Sequence, residues 1–133
     1  MLMGLKDKRQ VEKNHSFWQS LRHALMGIYQ VFVEERNMRF HFVTSILVLG
    51  LGFLFKLHRF EWLWLLLAIF LVMLSELVNT VVENLVDLLT QHHYELAAKN
   101  AKDMAATAVL LAACFAIIIG IIIFMPHLWP LIN

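Results

Sequence analysis

Three long apolar stretches, separated by short polar connections, occupy this chain from about residue 40 onward. The last, at about 103–125, carries no charge after Asp103 and is long enough to cross a hydrocarbon core of about 30 Å at ~1.5 Å per residue. We predict that Pro126 ends it. The first stretch lies at about 40–57, and Gly50 and Gly52 within it offer close approach between helices.

The middle apolar stretch changes character along its length. It begins beside Trp62 and Trp64, which suit a membrane interface, and it stays apolar to Leu74. Polar residues then enter while the apolar ones keep helical spacing, so one helix is predicted over about 61–90. The polar residues that enter are Ser75, Glu76, Asn79, Thr80, Glu83, Asn84 and Asp87.

Ahead of the first span, apolar residues recur three and four positions apart over about 16–36. They are Phe17, Leu21, Leu25, Ile28 and Phe32. The spacing predicts an amphipathic helix lying on the membrane surface. An ordinary juxtamembrane helix that anchors the first span accounts for most of these residues equally well. The predicted fold is therefore an all-α integral membrane protein, with three transmembrane helices and one surface helix in a single domain over 1–133.

Composition and charge narrow the class of protein. The chain is 60% hydrophobic and 16% charged, with a mean hydropathy of +0.68, which is outside the range of soluble domains. A net charge of +1 gives no basic surface for nucleic acid. The single cysteine, Cys114, lies in an apolar run, where it is interpreted as a packing residue.

The distribution of basic residues predicts an orientation. Seven of the eleven lysines and arginines precede the first span, two lie in the first loop and two in the second. The positive-inside rule then places the N-terminus and the second loop in the cytoplasm, and the C-terminus outside. No apolar stretch of signal-peptide length precedes Phe40, so we expect the N-terminus to be retained.

The polar residues of the middle span share one face of the predicted helix. At ~100° per residue, Glu76, Glu83 and Asp87 lie within about 40° of one another, with Asn79 about 60° to one side. Lipid would penalise each charge by roughly 2.5–3.5 kcal/mol at a helix centre, so this face must meet protein or water. A structural role is the alternative for some of these residues. Asn79 could form a hydrogen bond between helices, and Asp87 could lie at a solvated helix end outside the hydrocarbon.

Further charged residues fall at the same predicted membrane boundary. Glu35 and Arg39 are four apart on one helix face, where a surface ion pair is the ordinary interpretation. Lys102 and Asp103 stand where the third span enters the membrane. A snorkelling lysine beside a helix-start aspartate is the ordinary interpretation there.

This group of residues has a recognisable chemistry. Carboxylates with little basic compensation suit Mg²⁺, which commonly shares oxygen ligands with substrate phosphates. A partly desolvated carboxylate suits a general base. Phosphoryl transfer needs a metal, a cation, a base and alignment. No G-x-x-x-x-G-K-[ST] loop occurs, so any nucleotide site must be built differently.

Three motifs together carry a family resemblance. They are Glu35-x-Asn37-x-Arg39-x-His41, then Glu76-x-x-Asn79-Thr80-x-x-Glu83-x-x-x-Asp87, then Ala101-Lys102-Asp103-Met104-Ala105-Ala106. Over about residues 16–124 the chain resembles the prokaryotic diacylglycerol kinase family. The first motif and the Phe124-Met125-Pro126 ending resemble its Gram-positive undecaprenol kinase branch.

The resemblance implies a homotrimer in the bacterial cell membrane that transfers the γ-phosphoryl group of ATP to a lipid hydroxyl, in sites shared between subunits. It implies a role for each motif position. Glu76 would be the general base, oriented by Asn79, and Glu35 and Glu83 would bind Mg²⁺. Three residues would border the nucleotide: Lys102, Asp103 and Asp87. Arg39 and Ala106 would lie near the lipid or the site entrance. Thr107 and Val81-Val82 depart from the family pattern by adding bulk near the helix packing.

Alternatives remain for the substrate and for the function. Undecaprenol and diacylglycerol both present a hydroxyl at the interface, and branch resemblance favours undecaprenol. A non-enzymatic membrane subunit or a proton-coupled carrier would relay protons through Glu76 and Glu83, but it requires acids across the whole membrane depth. A lipid-anchored scaffold leaves these acids unexplained.

Overall fold

Four α-helices build the part of the chain that the computed structural model describes, residues 16–132. They are α1 (Phe17–Glu34), α2 (Arg36–Leu54), α3 (Arg59–Thr90) and α4 (Leu96–Ile132). Three of them are long and apolar enough to cross a membrane, over Arg36–Leu54, Arg59–Thr90 and Leu96–Pro130. The all-helical fold with three candidate spans is therefore confirmed. The basic residues before position 16, which contribute to the predicted orientation, lie outside the described residues.

A sharp corner joins α1 to α2. Ser16 caps α1 by accepting a hydrogen bond from the Gln19 amide at 3.2 Å. The helix ends at Glu34, and only Glu35, with extended backbone angles of φ −97° and ψ 114°, separates it from α2. The rings of Phe32 and Phe42 meet edge to face at 5.0 Å across this corner. That α1 lies on the membrane surface stays a prediction.

The connection between α2 and α3 begins earlier than the sequence predicted. Helix α2 ends at Leu54 rather than at 57, because Lys56 adopts a left-handed conformation with φ 53° and turns the chain back. Leu57 leaves the helix and becomes buried beside Leu65 and Ile123. Helix α3 then starts with a capping box, in which the His58 amide donates to Glu61 Oε2 at 2.7 Å.

Helix α4 is longer than predicted at both ends. It begins at Leu96, and it continues through Pro126 and Pro130 to Ile132, so the prediction that Pro126 ends it is wrong. A proline removes one backbone donor from a helix but does not prevent tertiary contacts from holding the following turns. Here His127 Nε2 lies 3.1 Å from Glu61 Oε1 on α3, and this contact holds the segment after Pro126 in line.

Close packing of α2 against the start of α3 depends on one glycine. A Cβ atom added at Gly52 would lie 2.8 Å from the Trp62 ring and 3.2 Å from Leu57, whereas one at Gly50 would meet nothing within 4 Å. The predicted close approach therefore occurs at Gly52, and the chain leaves Gly50 open. Thr107 is exposed and donates to the Asp103 carbonyl at 2.8 Å, so its added bulk does not lie between α3 and α4, the pair with the most extensive contact.

Candidate functional site

The middle turns of α3 carry polar side chains into the interior of the helix bundle. Glu76 is 2% exposed, Thr80 3% and Asn79 7%. The Thr80 hydroxyl donates to the Glu76 carbonyl oxygen at 3.0 Å, so it satisfies its own helix backbone and leaves the Glu76 carboxylate free. Of the face predicted to meet protein or water, Glu76 and Asn79 are buried, and Glu83 and Asp87 are half-buried.

The corner between α1 and α2 lies over this buried carboxylate. The Asn37 side chain is within hydrogen-bonding reach of the Glu76 carboxyl group, and Glu35, His41 and Glu83 are close enough for their charges to act on it. Glu35 comes from the corner residue, Asn37 and His41 come from the first turns of α2, and Glu83 lies two helical turns along α3. The charges of two half-buried carboxylates, from two parts of the chain, therefore act on the buried Glu76 carboxyl group.

Asn79 is held by a carboxylate neighbour on its own helix. Its Nδ2 donates to Glu83 Oε1 at 2.9 Å, while its Oδ1 is buried without a hydrogen-bond partner among the described residues. An ionised carboxylate only accepts hydrogen bonds, so the amide nitrogen must face Glu83 and the oxygen must face away. The contact made by Asn79 is thus with Glu83, whereas the family resemblance implied one with Glu76.

The donor atoms around Glu76 fit a hard divalent cation that has further ligands elsewhere. Glu35 and Glu83 supply carboxylate oxygens, and the unpartnered Oδ1 of Asn79 is a further oxygen on the same stretch of α3, directed away from Glu83. In the described part of the chain, no group of three or more His, Cys, Asp or Glu side chains is arranged to hold a metal ion by itself. Mg²⁺ commonly takes only one or two carboxylates and completes its shell with phosphates and water. The residues present therefore suit a shared magnesium site.

A second polar feature lies where α3 ends and α4 begins. An open pocket of about 400 Å³ is lined by Asp87, Lys99, Lys102, Asp103 and the exposed His92 and His93. Lys102 Nζ pairs with Asp87 Oδ1 at 2.5 Å, and Lys99 Nζ pairs with Asp103 Oδ2 at 2.6 Å. The neighbouring residues Lys102 and Asp103 thus take different partners, one on α3 and one on α4. Both remain at the edge of the same pocket.

Two apolar cavities are lined in part by residues that neighbour Glu76 on α3. One, of about 250 Å³, lies among α1, α2 and α3 and is lined by Phe32, Met38, Met73 and Leu77. The other, of about 380 Å³, runs from His41 and Val72 towards Phe124 and is bordered by α2, α3 and α4. Met73, Leu77 and Val72 are each within four residues of Glu76. Glu76 itself lines neither cavity, but both cavities reach the part of α3 on which it lies.

The two residues predicted near the lipid lie in different settings. Arg39 Nη1 donates to the backbone carbonyls of Phe32 and Val33 at 2.9 and 2.8 Å. No ion pair links it to Glu35 among the described residues, so the surface ion pair that the spacing suggested is wrong. Ala106 is exposed on α4.

Asn37 and His41 are the neighbours of Glu76 to which sequence reasoning gave no role. Their four-residue spacing places both on one face of α2, and both belong to the first motif. This spacing was the sequence feature that could have identified Asn37 and His41 as neighbours on one helix face. It could not show which helix the face meets, because the direction of α2 depends on the corner at Glu35.

Comparison with known proteins places these residues in a family context. The family model described as prokaryotic diacylglycerol kinase matches residues 22–124. The chain is similar to an undecaprenol kinase of Bacillus subtilis (strain 168), with 44% identity over 126 residues that cover 95% of this chain and 100% of the relative. A diacylglycerol kinase of Synechocystis is 41% identical over 112 residues, covering 84% of this chain and 64% of the relative. One of Escherichia coli (strain K12) is 28% identical over 101 residues, covering 76% and 82%.

Proposed function

Because the chain belongs to the prokaryotic diacylglycerol kinase family and is a lipid kinase, we propose that it transfers the γ-phosphoryl group of ATP to undecaprenol, giving undecaprenyl phosphate. The observation that carries the proposal is the placement of Glu76. This carboxylate is buried, it lies within about one helical turn of residues that line two apolar cavities, and the charges of two further carboxylates act on it. The full-length similarity to a relative named undecaprenol kinase supports the choice of lipid.

Glu76 takes the proton from the lipid hydroxyl in this proposal. A general base must be free to accept a proton and must lie within hydrogen-bonding reach of the reacting hydroxyl. Among the described residues, no lysine or arginine forms an ion pair with Glu76, so no fixed cation occupies its carboxylate. The Asn37 amide beside it limits the directions that the carboxyl group adopts.

Glu35 and Glu83 are proposed to hold Mg²⁺ together with the phosphates of ATP. The bound ion would offset negative charge on the phosphoryl oxygens. Within the chain, the Asn79 amide donates to Glu83 and fixes its rotamer, so Asn79 acts on the metal side of the site. Its Oδ1, directed away from Glu83, is buried without a partner in the described part of the chain, and a buried amide oxygen is costly until a ligand or water satisfies it.

The open pocket at the start of α4 is proposed as the nucleotide side of the site. Lys102 presents a cation there that is free to move from Asp87 to a phosphate, while Asp103 remains paired with Lys99. Asp87 then borders the nucleotide. Ala106, a small exposed residue one helical turn beyond Lys102, is proposed to border the entrance of the lipid.

The apolar cavities explain how a membrane alcohol meets a water-soluble nucleotide. Phosphorylation at the membrane boundary lets the hydrocarbon chain stay in an apolar environment while only the hydroxyl reaches Glu76. We place this end of the bundle at the cytoplasmic face, where ATP is present. A proton-coupled carrier fits less well, because α4 carries no acid after Asp103 and the acids nearest the buried Glu76 lie towards one end of α3.

The enzyme is proposed to work as a homotrimer with sites shared between subunits. Two observations support this assembly. The carboxylates gathered around Glu76 do not complete a cation site in the described part of one chain. The α2 face at Gly50 is open, so it can accept a neighbouring helix.

A side-by-side assay decides the substrate. Purified full-length protein in one mixed-micelle preparation receives Mg-ATP with either undecaprenol or diacylglycerol at equal mole fraction, and the phosphorylated lipid is measured. Faster phosphorylation of undecaprenol is expected. Removal of divalent ions with EDTA should abolish the reaction with either lipid. Preference for diacylglycerol would replace the proposed substrate, and phosphorylation of neither lipid would refute the proposed activity.

A further inference from the structure

The end of α1 depends on a side chain from the next helix. The last turn of an α-helix leaves four carbonyl oxygens without intrahelical donors, here those of residues 31–34. The Glu35 amide donates to Val31 O at 2.8 Å. One nitrogen of Arg39, Nη1, donates to both Phe32 O at 2.9 Å and Val33 O at 2.8 Å. A single guanidinium group therefore satisfies two of these four carbonyls.

Backbone amides cannot take over this role. Because Glu35 is extended, α2 starts in a new direction, and the amides of Arg36 and Asn37 do not continue the hydrogen-bond pattern of α1. The last turn of α1 also contains no basic residue, so its negative end has no cation of its own. Arg39, in the first turn of α2, supplies both the hydrogen-bond donors and the positive charge.

The corner that Arg39 braces carries two neighbours of the proposed base. Glu35 is the corner residue itself and Asn37 follows it, and both lie near the Glu76 carboxyl group. The angle between α1 and α2 therefore controls where these two side chains stand relative to α3. In the described part of the chain, the hydrogen bonds made by the Arg39 side chain are the two to Phe32 and Val33.

We propose that Arg39 is a positioning residue for phosphoryl transfer: its guanidinium group locks the corner between α1 and α2 and so holds Glu35 and Asn37 beside Glu76. The inference rests on the proposed role of Glu35 in binding the divalent ion. It gives Arg39 a function that requires no contact with lipid or ATP. If Arg39 contributed only positive charge at the membrane surface, a neighbouring arginine such as Arg36 would contribute equally.

The test compares Arg39→Gln with Arg36→Gln in the full-length protein. Both changes remove one positive charge from the first turn of α2, but Arg36 is exposed and its side chain makes no hydrogen bond or ion pair among the described residues. Amide hydrogen exchange over residues 31–37 reports the corner directly, and Mn²⁺ binding followed by electron paramagnetic resonance reports the cation site without turnover. Steady-state kinetics give KM for the lipid and kcat.

Arg39→Gln should speed exchange at the Glu35 amide and weaken Mn²⁺ binding by about 10- to 100-fold, the usual effect of removing a group that orients a metal ligand. It should lower kcat and leave KM for the lipid unchanged. Arg36→Gln should match the wild type in all three measurements. Methylguanidinium added to Arg39→Ala should restore slow exchange and Mn²⁺ binding. Arg39→Lys should keep slow exchange and Mn²⁺ binding only in part, since the lysine side chain is shorter and its ammonium group lacks the planar guanidinium geometry.

Two results would overturn the proposal. One is an unchanged exchange pattern in Arg39→Gln, and the other is a raised KM for the lipid with normal Mn²⁺ binding, which would indicate direct contact with the substrate. Should Arg39→Gln fail to fold, rescue of Arg39→Ala by methylguanidinium carries the test, and absence of rescue counts against the proposal. If the wild type phosphorylates no lipid, the proposed function fails, while the exchange and Mn²⁺ data still decide whether Arg39 braces the corner.

Discussion

Two of the three glutamates on helix α3 lie in opposite surroundings. Glu61 and Glu76 are fifteen residues apart, or roughly 22 Å along the helix at ~1.5 Å per residue. Glu61 is 25% exposed and satisfied at both oxygens, by the His58 amide at 2.7 Å and by His127 at 3.1 Å. Glu76 is 2% exposed and has two further carboxylates nearby. The same residue type on the same helix thus serves as a structural link at one end and a candidate base at the other.

The surroundings of each glutamate extend this contrast to the two ends of the bundle. We define the apolar end by Leu57, Glu61, Leu65, Ile123 and His127, where buried aliphatic side chains and one carboxylate–histidine contact join α3, α4 and the connection before α3. We define the polar end by Glu35, Glu76, Asn79, Glu83 and Asp87. Changes at the polar end should remove activity and spare stability, and changes at the apolar end should do the reverse.

The largest effect is expected from Glu76→Gln. The amide keeps the shape of the side chain but cannot accept the proton of the lipid hydroxyl, so lipid phosphorylation in proteoliposomes should fall by about 10²- to 10⁴-fold. Binding of Mg-ATP should be retained. The matched control is Glu61→Gln on the same helix, which should keep most of its activity. Normal turnover in Glu76→Gln would remove the proposed base and the contrast between the two ends.

Lys102→Gln should give the next largest effect, on the nucleotide. Loss of one charged hydrogen bond to a phosphate is expected to raise KM for ATP by about 10- to 100-fold while KM for the lipid stays the same. Lys99→Gln is the control, because Lys99 lines the same pocket but pairs with Asp103 on the exposed side of α4. A larger rise in KM for ATP in Lys99→Gln than in Lys102→Gln would show that the phosphates bind at Lys99 and not at Lys102.

Gly52→Ala tests the packing of the apolar end. The added Cβ would lie 2.8 Å from the Trp62 ring, so the indole must move, and we expect a loss of about 1–2 kcal/mol in the free energy of unfolding. Gly50→Ala is the control on the same helix, since its Cβ meets open space, and it should be neutral or stabilising by up to about 1 kcal/mol. Unfolding by detergent titration measures both. Equal losses in the two variants would show that Gly50 is also closely packed in the assembled protein.

His127→Ala should have the smallest effect. It removes a partly exposed contact with Glu61, which is expected to contribute at most about 1 kcal/mol to the free energy of unfolding. A double-mutant cycle with Glu61→Gln isolates the pair. Lipid phosphorylation should be unchanged in both single variants. A loss of activity in His127→Ala would instead show that the last turns of α4 influence the polar end.

Local pattern was enough to predict the helices and the inward face of α3. Apolar residues at helical spacing continue through residues 75–90, which predicts that the helix continues there. Because charged and polar side chains are costly in lipid, Glu76 and Asn79 were expected to face inward. The spacing of the motifs likewise predicted one membrane boundary for Glu35, Glu76, Glu83 and the Lys102-Asp103 pair. Each of these conclusions rests on spacing along the chain and on the membrane as a solvent.

What the spacing could not predict are contacts between segments. Arg39 shares a helix face with Glu35, yet its guanidinium group turns to the carbonyls of α1, because the extended backbone at Glu35 brings that helix end within reach. Asn37 and His41 approach Glu76 for the same reason. Pro126 is an ordinary helix terminator by local rules, but the contact between His127 and Glu61 supports the turns that follow.

The amino-acid sequence alone therefore determined three membrane-crossing helices, a carboxylate-rich face on α3 and membership of a lipid kinase family, since periodicity, hydropathy and motif spacing are properties of the chain itself. The tertiary structure alone decided which glutamate is satisfied by partners, which one is buried without an ion pair among the described residues, and how the corner at Glu35 is held. Those outcomes depend on the single extended residue between α1 and α2 and on side chains from distant segments. Their relative positions are set by packing, which no local pattern encodes.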